Sequence, residues 1–250
     1  MTIRESIREQ RKAIKNRSPR ERLAYYWEYY GLKAIGILAA IALVVAFIVS
    51  MVTQKEYAFT GVFFGSSPGP NEQTYLADFA QAAGIDTEKY ARTVRPYPDI
   101  PMDQQITNEI YQSMQAFTAM VAANTVDCFA GNRELFLYYS YLGYTTDLRS
   151  VLTAQELSAL EPYLYYVDGK LIEQQEENDE GLAFAYGQSP DPTQPLLMED
   201  PIPVGISVGA ASQAFSETYP FATQDAAIGI CASTEHLENA LAFLRYCFAG

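Results

Sequence analysis

Residues 34–52 read AIGILAAIALVVAFIVSMV, nineteen positions with no charge and with Ser50 as the sole polar side chain. As a helix rising 1.5 Å per residue, this run is about 28 Å long, close to the ~30 Å hydrocarbon core of a bilayer. Lys33 and Lys55 bracket it. The run predicts a single transmembrane helix and three parts: a basic cytoplasmic tail at 1–33, a span at 34–52 surrounded by membrane lipid, and an extracytoplasmic domain at 53–250. It is longer than the apolar region of a signal peptide, and Thr53, Gln54 and Lys55 do not form a small-residue cleavage site, so it reads as an uncleaved signal anchor.

Charge sets the orientation. Residues 1–33 carry nine Lys/Arg and four Glu, a net of +5, whereas 53–250 carry eight Lys/Arg against 26 Asp/Glu, a net of −18. Short Lys/Arg-rich flanks stay in the cytoplasm, which places the N-terminus inside and the C-terminus outside. The aromatic stretch AYYWEYY at 24–30 reads as an interfacial belt. The acidity of 53–250 argues against nucleic acid as a partner, because a phosphate-binding face needs clustered Lys/Arg.

The side chains that usually carry chemistry are sparse. Cys128, Cys231 and Cys247 are odd in number and widely spaced, unlike a disulfide framework or a zinc pattern; they read as buried thiols, with a Cys231–Cys247 pair left open. His236 is the sole histidine, which gives little support to a His-based metal site or a Ser/His/Asp triad, and it reads as a surface helix residue. The acidic run EQQEENDE at 173–180 lacks the Asp/Asn spacing and Gly of an EF-hand loop. No pair of carboxylates and no nucleophile with its base is evident. The expectation is a non-enzymatic protein without a cofactor.

Periodicity organises the domain. Strands are predicted at 57–64, 90–97 and 125–130. Helices follow them: 71–83, capped by Asn71 and ended by Gly84; 103–124, capped by Asp103; and a third from Asn132 through Leu142. The long helix has Ile106, Ile110, Met114, Phe117, Met120 and Val121 as its apolar stripe. This alternation predicts a parallel sheet with right-handed crossovers. Thr153 caps a short helix, and Asp168-Gly169 signals a hairpin between 163–167 and 170–172. Strands follow at 203–208 and 226–231, and a closing helix at 235–248 places Leu237, Leu241, Leu244 and Phe248 on one face.

Three segments resemble the extracellular solute-binding proteins of the type 2 periplasmic-binding fold. These are VDCFAGNRELFLYYSYLGYTTDLRSVL at 126–152, PVGIS at 203–207 and AAIGICASTEHLENALAFLRYCF at 226–248. The resemblance implies an α/β fold: after the transmembrane helix, a mainly parallel three-layer sheet domain like one lobe of that family, in a bacterial plasma membrane protein. Family members are secreted or lipid-anchored and build a second lobe between the crossover and the returning strand. Here about eighteen residues, 209–226, separate the two, too few for a lobe with its own core.

Ligands in open α/β sheets bind beyond the carboxyl ends of strands, which makes Gly65, Ser66, Ser67, Tyr97, Gly131 and Asn132 the candidate ligand-binding residues. Two functions compete: an interaction module displaying one lobe to a partner protein outside, and a membrane-tethered binder or sensor of a small molecule such as a sugar or peptide.

Overall fold

The computed structural model describes residues 19–53, 55–102, 107–177 and 187–248. The chain divides into two compact units, 1–54 and 55–250. In the first, a single helix α1 runs over Pro19–Thr53. It begins well before the apolar run, because no proline interrupts 20–33.

Among the described residues, no helix is long and apolar enough to cross a membrane. Along α1, Ile37, Leu38 and Leu43 are exposed. The single-pass, signal-anchored arrangement at the plasma membrane is therefore corrected, and with it the lipid-facing role of 34–52 and the extracytoplasmic placement of 53–250. Residues 1–18 of the basic tail lie outside the described residues.

In the second unit, β1 (Glu56–Phe64), α2 (Glu72–Ala82), β2 (Tyr90–Tyr97), α3 (Asn108–Ala122), β3 (Cys128–Asn132) and α4 (Arg133–Tyr141) alternate along the chain. Then come α5 (Ala154–Leu160), β4 (Leu164–Asp168), α6 (Gly169–Glu177), β5 (Pro201–Ser207), α7 (Gln213–Thr218), β6 (Ala226–Ile230) and α8 (Leu237–Phe248). The six strands form one sheet in the order β2-β1-β3-β6-β5-β4. β1 pairs in parallel with β2 and β3, while β3–β6, β6–β5 and β5–β4 are antiparallel. The sheet is thus mixed and mostly antiparallel, which corrects the mainly parallel sheet expected. The βαβ alternation dictates direction only as far as β3; β6 then returns beside β3 in the opposite sense.

Apolar side chains cover both faces. Phe59 and Phe63 of β1 point to one face and pack with Phe79 of α2, Phe215 of α7 and Phe243 of α8. Val62 and Phe64 point to the other, with Phe117 of α3, Phe129 of β3, and Phe136 and Tyr139 of α4. This is the period-2 alternation of a strand buried on both sides.

The stripe on α3 is partly as expected: Phe117 and Val121 are buried, with Ile110, Met114 and Met120 packed beside them. Thr107 caps this helix, its hydroxyl accepting from Ile110 N at 3.3 Å, whereas Asp103 and Ile106 lie outside the described residues. On α8 the buried face is Ala240, Phe243, Leu244 and Cys247, rotated from the expected one. All three cysteines are free and buried, so Cys231 and Cys247 do not pair.

Asp168-Gly169 opens α6 rather than turning a hairpin. The buried Asp168 carboxylate accepts from the backbone N–H groups of Lys170, Glu199 and Asp200, each at 3.0 Å. Those last two donors lie some thirty residues downstream, so the turn signal is overruled by a tertiary contact.

The carboxylate of Asp127 joins the parallel and antiparallel halves. It is buried and accepts from Thr60 N at 2.7 Å and from the Thr234 hydroxyl, with His236 Nδ1 at 3.2 Å. Its own N–H donates to Thr60 O, and its C=O accepts from Cys231 N.

Two strand glycines admit α4. A Cβ on Gly205 would overlap the Phe136 ring, and one on Gly229 would lie 2.7 Å from Val204 O and 2.9 Å from Phe136 Cζ. Gly205→Ala is expected to cost about 1–3 kcal/mol through overpacking. Urea titration would read this as a lower midpoint with an unchanged slope, and an unchanged midpoint would show that Phe136 is free to move aside.

At the helix ends, Thr153 and Glu156 form a reciprocal capping box on α5. Arg245 Nε donates to Glu156 Oε1 at 2.6 Å. Arg245 and then Thr153 hold the Glu156 carboxyl down at about 2, from an ordinary 4.5. A lowered folded-state value stabilises the native state above the unfolded value and is lost as pH falls through it. Stability should therefore drop between about pH 4.5 and pH 2. Glu156→Gln should flatten that limb in pH-dependent melts while leaving the other carboxylates' contribution in place.

Candidate functional site

The carboxyl ends of β1, β2 and β3 are where an α/β sheet offers backbone donors to a ligand. β1 is followed by Gly65, whose φ of +72° is readily adopted by glycine. A Cβ there would lie 2.9 Å from Asp99 Oδ1. Gly65 N donates to Tyr97 O at 2.9 Å, and Gly65 O accepts from Ala222 N at 2.8 Å. Ser66 forms an antiparallel bridge with Phe221. Ser67 N donates to Pro220 O at 3.3 Å, and Gly69 N to Thr218 O at 2.7 Å. The loop after β1 is thus stitched along its length to 218–222.

Those residues belong to the short link between β5 and β6. It folds into α7, capped by Ser212, whose hydroxyl accepts from Phe215 N at 3.3 Å. Phe215 and Tyr219 then bury against Phe63. Burial of these aromatic rings holds the link over the strand ends.

The other candidate residues are engaged as well. The Tyr97 ring packs on Phe64 with centroids 5.3 Å apart, and its hydroxyl faces Met120 Sδ at 3.9 Å. Gly131 pairs with Ala227 inside the sheet. Asn132 caps α4: its Oδ1 accepts from Leu135 N at 2.9 Å, while Nδ2 donates to Asp99 Oδ1 at 2.8 Å and Ile100 O at 2.9 Å. The structure brings Gly65 and Tyr97 together by a backbone bond and places Asn132 beside them through Asp99; Ser67 turns toward the link instead. The buried Ser66 hydroxyl has no hydrogen-bond partner among the described residues.

An open depression of about 470 Å³ remains, lined by Asp99, Asn132, Arg133, Glu134, Thr223 and Asp225 together with Pro101. The Arg133 guanidinium lies 3.1 Å from Asp191 and 3.7 Å from Asp225, and Arg133 N donates to Asp225 O. The Tyr165 hydroxyl donates to Asp225. Burial first, and then this bond to a carboxylate, push the Tyr165 phenol up. Backbone donation from Thr193 and the nearby Arg133 hold Asp191 below its usual range. One cation thus faces several carboxylates, and the N-terminus of α4 carries its own Asn132 cap and Glu134 in its first turn. This arrangement disfavours an anionic ligand.

Sequence reasoning missed Asp99, Arg133, Thr223 and Asp225. Arg133 was adjacent to a named candidate; the others come from loops that no local pattern places there. Among the described residues, no group of three or more His, Cys, Asp or Glu side chains is placed to hold a metal ion.

Asn132→Ala removes the cap and both amide donations, and is expected to destabilise by about 1–2 kcal/mol. Chemical denaturation measures it, and a wild-type midpoint would show that the loop at Asp99 needs no such tether.

No family model, characterised protein or solved structure matches this chain.

Proposed function

We propose that the globular unit, residues 55–250, is a non-enzymatic interaction module that recognises a partner protein, built as a single lobe akin to those of solute-binding proteins. The observation that carries this reading is the stitched loop after β1. The backbone groups that a solute binder would present to its ligand are spent on the 218–222 segment, at Gly65, Ser67 and Gly69. Two-lobed binders trap ligands by hinge closure. A single lobe with its strand ends covered has no second jaw to close.

The polar pair at the other end of the sheet fits the same reading. His236 Nδ1 faces Asp127, and the Thr234 hydroxyl donates to that carboxylate, so Thr234 is occupied as a structural donor. The pair ties β1 and β3 to the start of α8 instead of activating a nucleophile.

The depression at Arg133 supports a second reading, a small-molecule binder for a neutral or cationic polar solute. Thermal-shift screening of sugars and free amino acids separates the two. A bound ligand at 100 times its dissociation constant adds about 2.7 kcal/mol. The interaction module predicts no stabilisation of that size. A clear hit that Arg133→Ala abolishes would establish the solute binder instead.

A further inference from the structure

An open sheet has two edges, and this protein treats them differently. At the β4 edge, Tyr166 N donates to Pro192 O at 2.9 Å, so the proline-rich segment covers the strand. At the β2 edge, Tyr97 O accepts from Gly65 N and so faces β1. The two-residue period of a strand then turns the backbones of Arg92, Val94 and Pro96 outward. Outside the sheet's own ladders, no backbone group among the described residues bonds to the N–H of Arg92 or of Val94, whose side chain is buried. Pro96 offers only a carbonyl.

Charge singles out the same edge. Five of the eight Lys/Arg in this acidic unit sit within ion-pair distance of carboxylates: Lys89, Arg133, Arg149, Lys170 and Arg245. The other three, Lys55, Arg92 and Arg95, have no such partner among the described residues, and all three lie on the β1–β2 edge. Lys55 Nζ donates to Thr87 O at 2.7 Å, and Arg92 Nε donates to Leu76 O at 3.2 Å. The Arg95 guanidinium lies 6.0 Å from the Tyr57 ring centroid. Tyr57 and Tyr90 are exposed beside them. Arginine and tyrosine are enriched among the residues that dominate binding energy.

Cations on an edge strand also guard against edge-to-edge aggregation. That guard repels a strand of the same charge, such as β2 of a second copy, and attracts one of opposite charge. We propose that the open edge of β2 docks an extended acidic segment of a partner protein as an added strand. Main-chain bonds to Arg92 and Val94 would supply affinity, and carboxylates facing Arg92 or Arg95 would supply selection. The proposal rests on the interaction-module reading and names where that module binds.

The test uses the full-length protein and a labelled acetyl-(Glu-Val)4-amide peptide, with acetyl-(Lys-Val)4-amide as the counterpart. Fluorescence anisotropy should show salt-sensitive binding of the acidic peptide and none of the basic one. The double substitution Arg92→Glu, Arg95→Glu should weaken binding by about tenfold or more. Saturating acidic peptide should slow amide exchange at Arg92 and Val94 by about tenfold or more. Absent binding, or binding that the double substitution leaves unchanged, overturns the proposal; the latter would place the peptide on basic residues elsewhere, such as those at 4–22. Slow exchange at β2 that tracks protein concentration without peptide would also overturn it, in favour of a second copy. If the double variant does not melt cooperatively, the exchange result on the unsubstituted protein decides. A stabilising sugar or amino acid would sink the parent reading while leaving the exchange result at β2 intact.

Discussion

The buried carboxylate of Asp127 is the contact on which the arrangement of this sheet depends. It sits immediately before β3, a strand with a parallel neighbour on one side and an antiparallel neighbour on the other. Burying a charge is costly unless donors replace the lost water. Here Thr60 N and the Thr234 hydroxyl donate to it and His236 Nδ1 faces it, from β1 on one side and the β6–α8 turn on the other. The same residue's N–H and C=O continue the two pairings. A single side chain therefore fixes which strand lies on each flank of β3. Because β6 is held there in reverse, β5 and β4 follow it with antiparallel pairings, and the link from β5 back to β6 is directed toward the carboxyl ends of β1 to β3.

That chain of consequences separates what was legible in the sequence from what was not. Turn residues and 3.6- or 2-residue periods are local, and they placed β1, α2, β2, α3 and β3 close to where they lie. Asn132 was legible as a helix start because its side chain acts three residues away, on Leu135 N. Asp168-Gly169 misled because its side chain is claimed by Glu199 N and Asp200 N, so a local turn preference lost to two distant donors. Strand direction after β3 was illegible for the same reason. A run such as AAIGI reads alike whether it lies parallel or antiparallel to its neighbour, and Asp127 with its distant donors decides.

The candidate site divides along the same line. Residues at the strand ends were identified from topology alone; Gly65, Tyr97 and Asn132 lie near one another, whereas Ser67 turns toward the link and Gly131 pairs inside the sheet. What the sequence could not show is that the eighteen residues from 209 to 226, too few for a lobe, suffice for a cover. Phe215 and Tyr219 anchor that cover by filling the pocket beside Phe63, and its backbone then consumes donors that glycine and serine residues would otherwise leave free. The short link thus occupies backbone groups of the loop after β1.

With the loop after β1 stitched to the link and Tyr166 N bonded at the β4 edge, outward-facing backbone donors among the described residues remain on β2. An uncovered edge is a hazard that natural sheets counter with charge, proline or brevity. Charge and proline are both present here, at Arg92, Arg95 and Pro96, on a strand whose Val94 is buried. Had protection alone been required, carboxylates would have served as well, and the unit has 26 of them against eight cations. The cations instead stand where acids are absent, on a strand reading YARTVRPY. In a unit whose remaining cations are held by carboxylates, this leaves the edge as the place where an acidic chain meets attraction instead of repulsion.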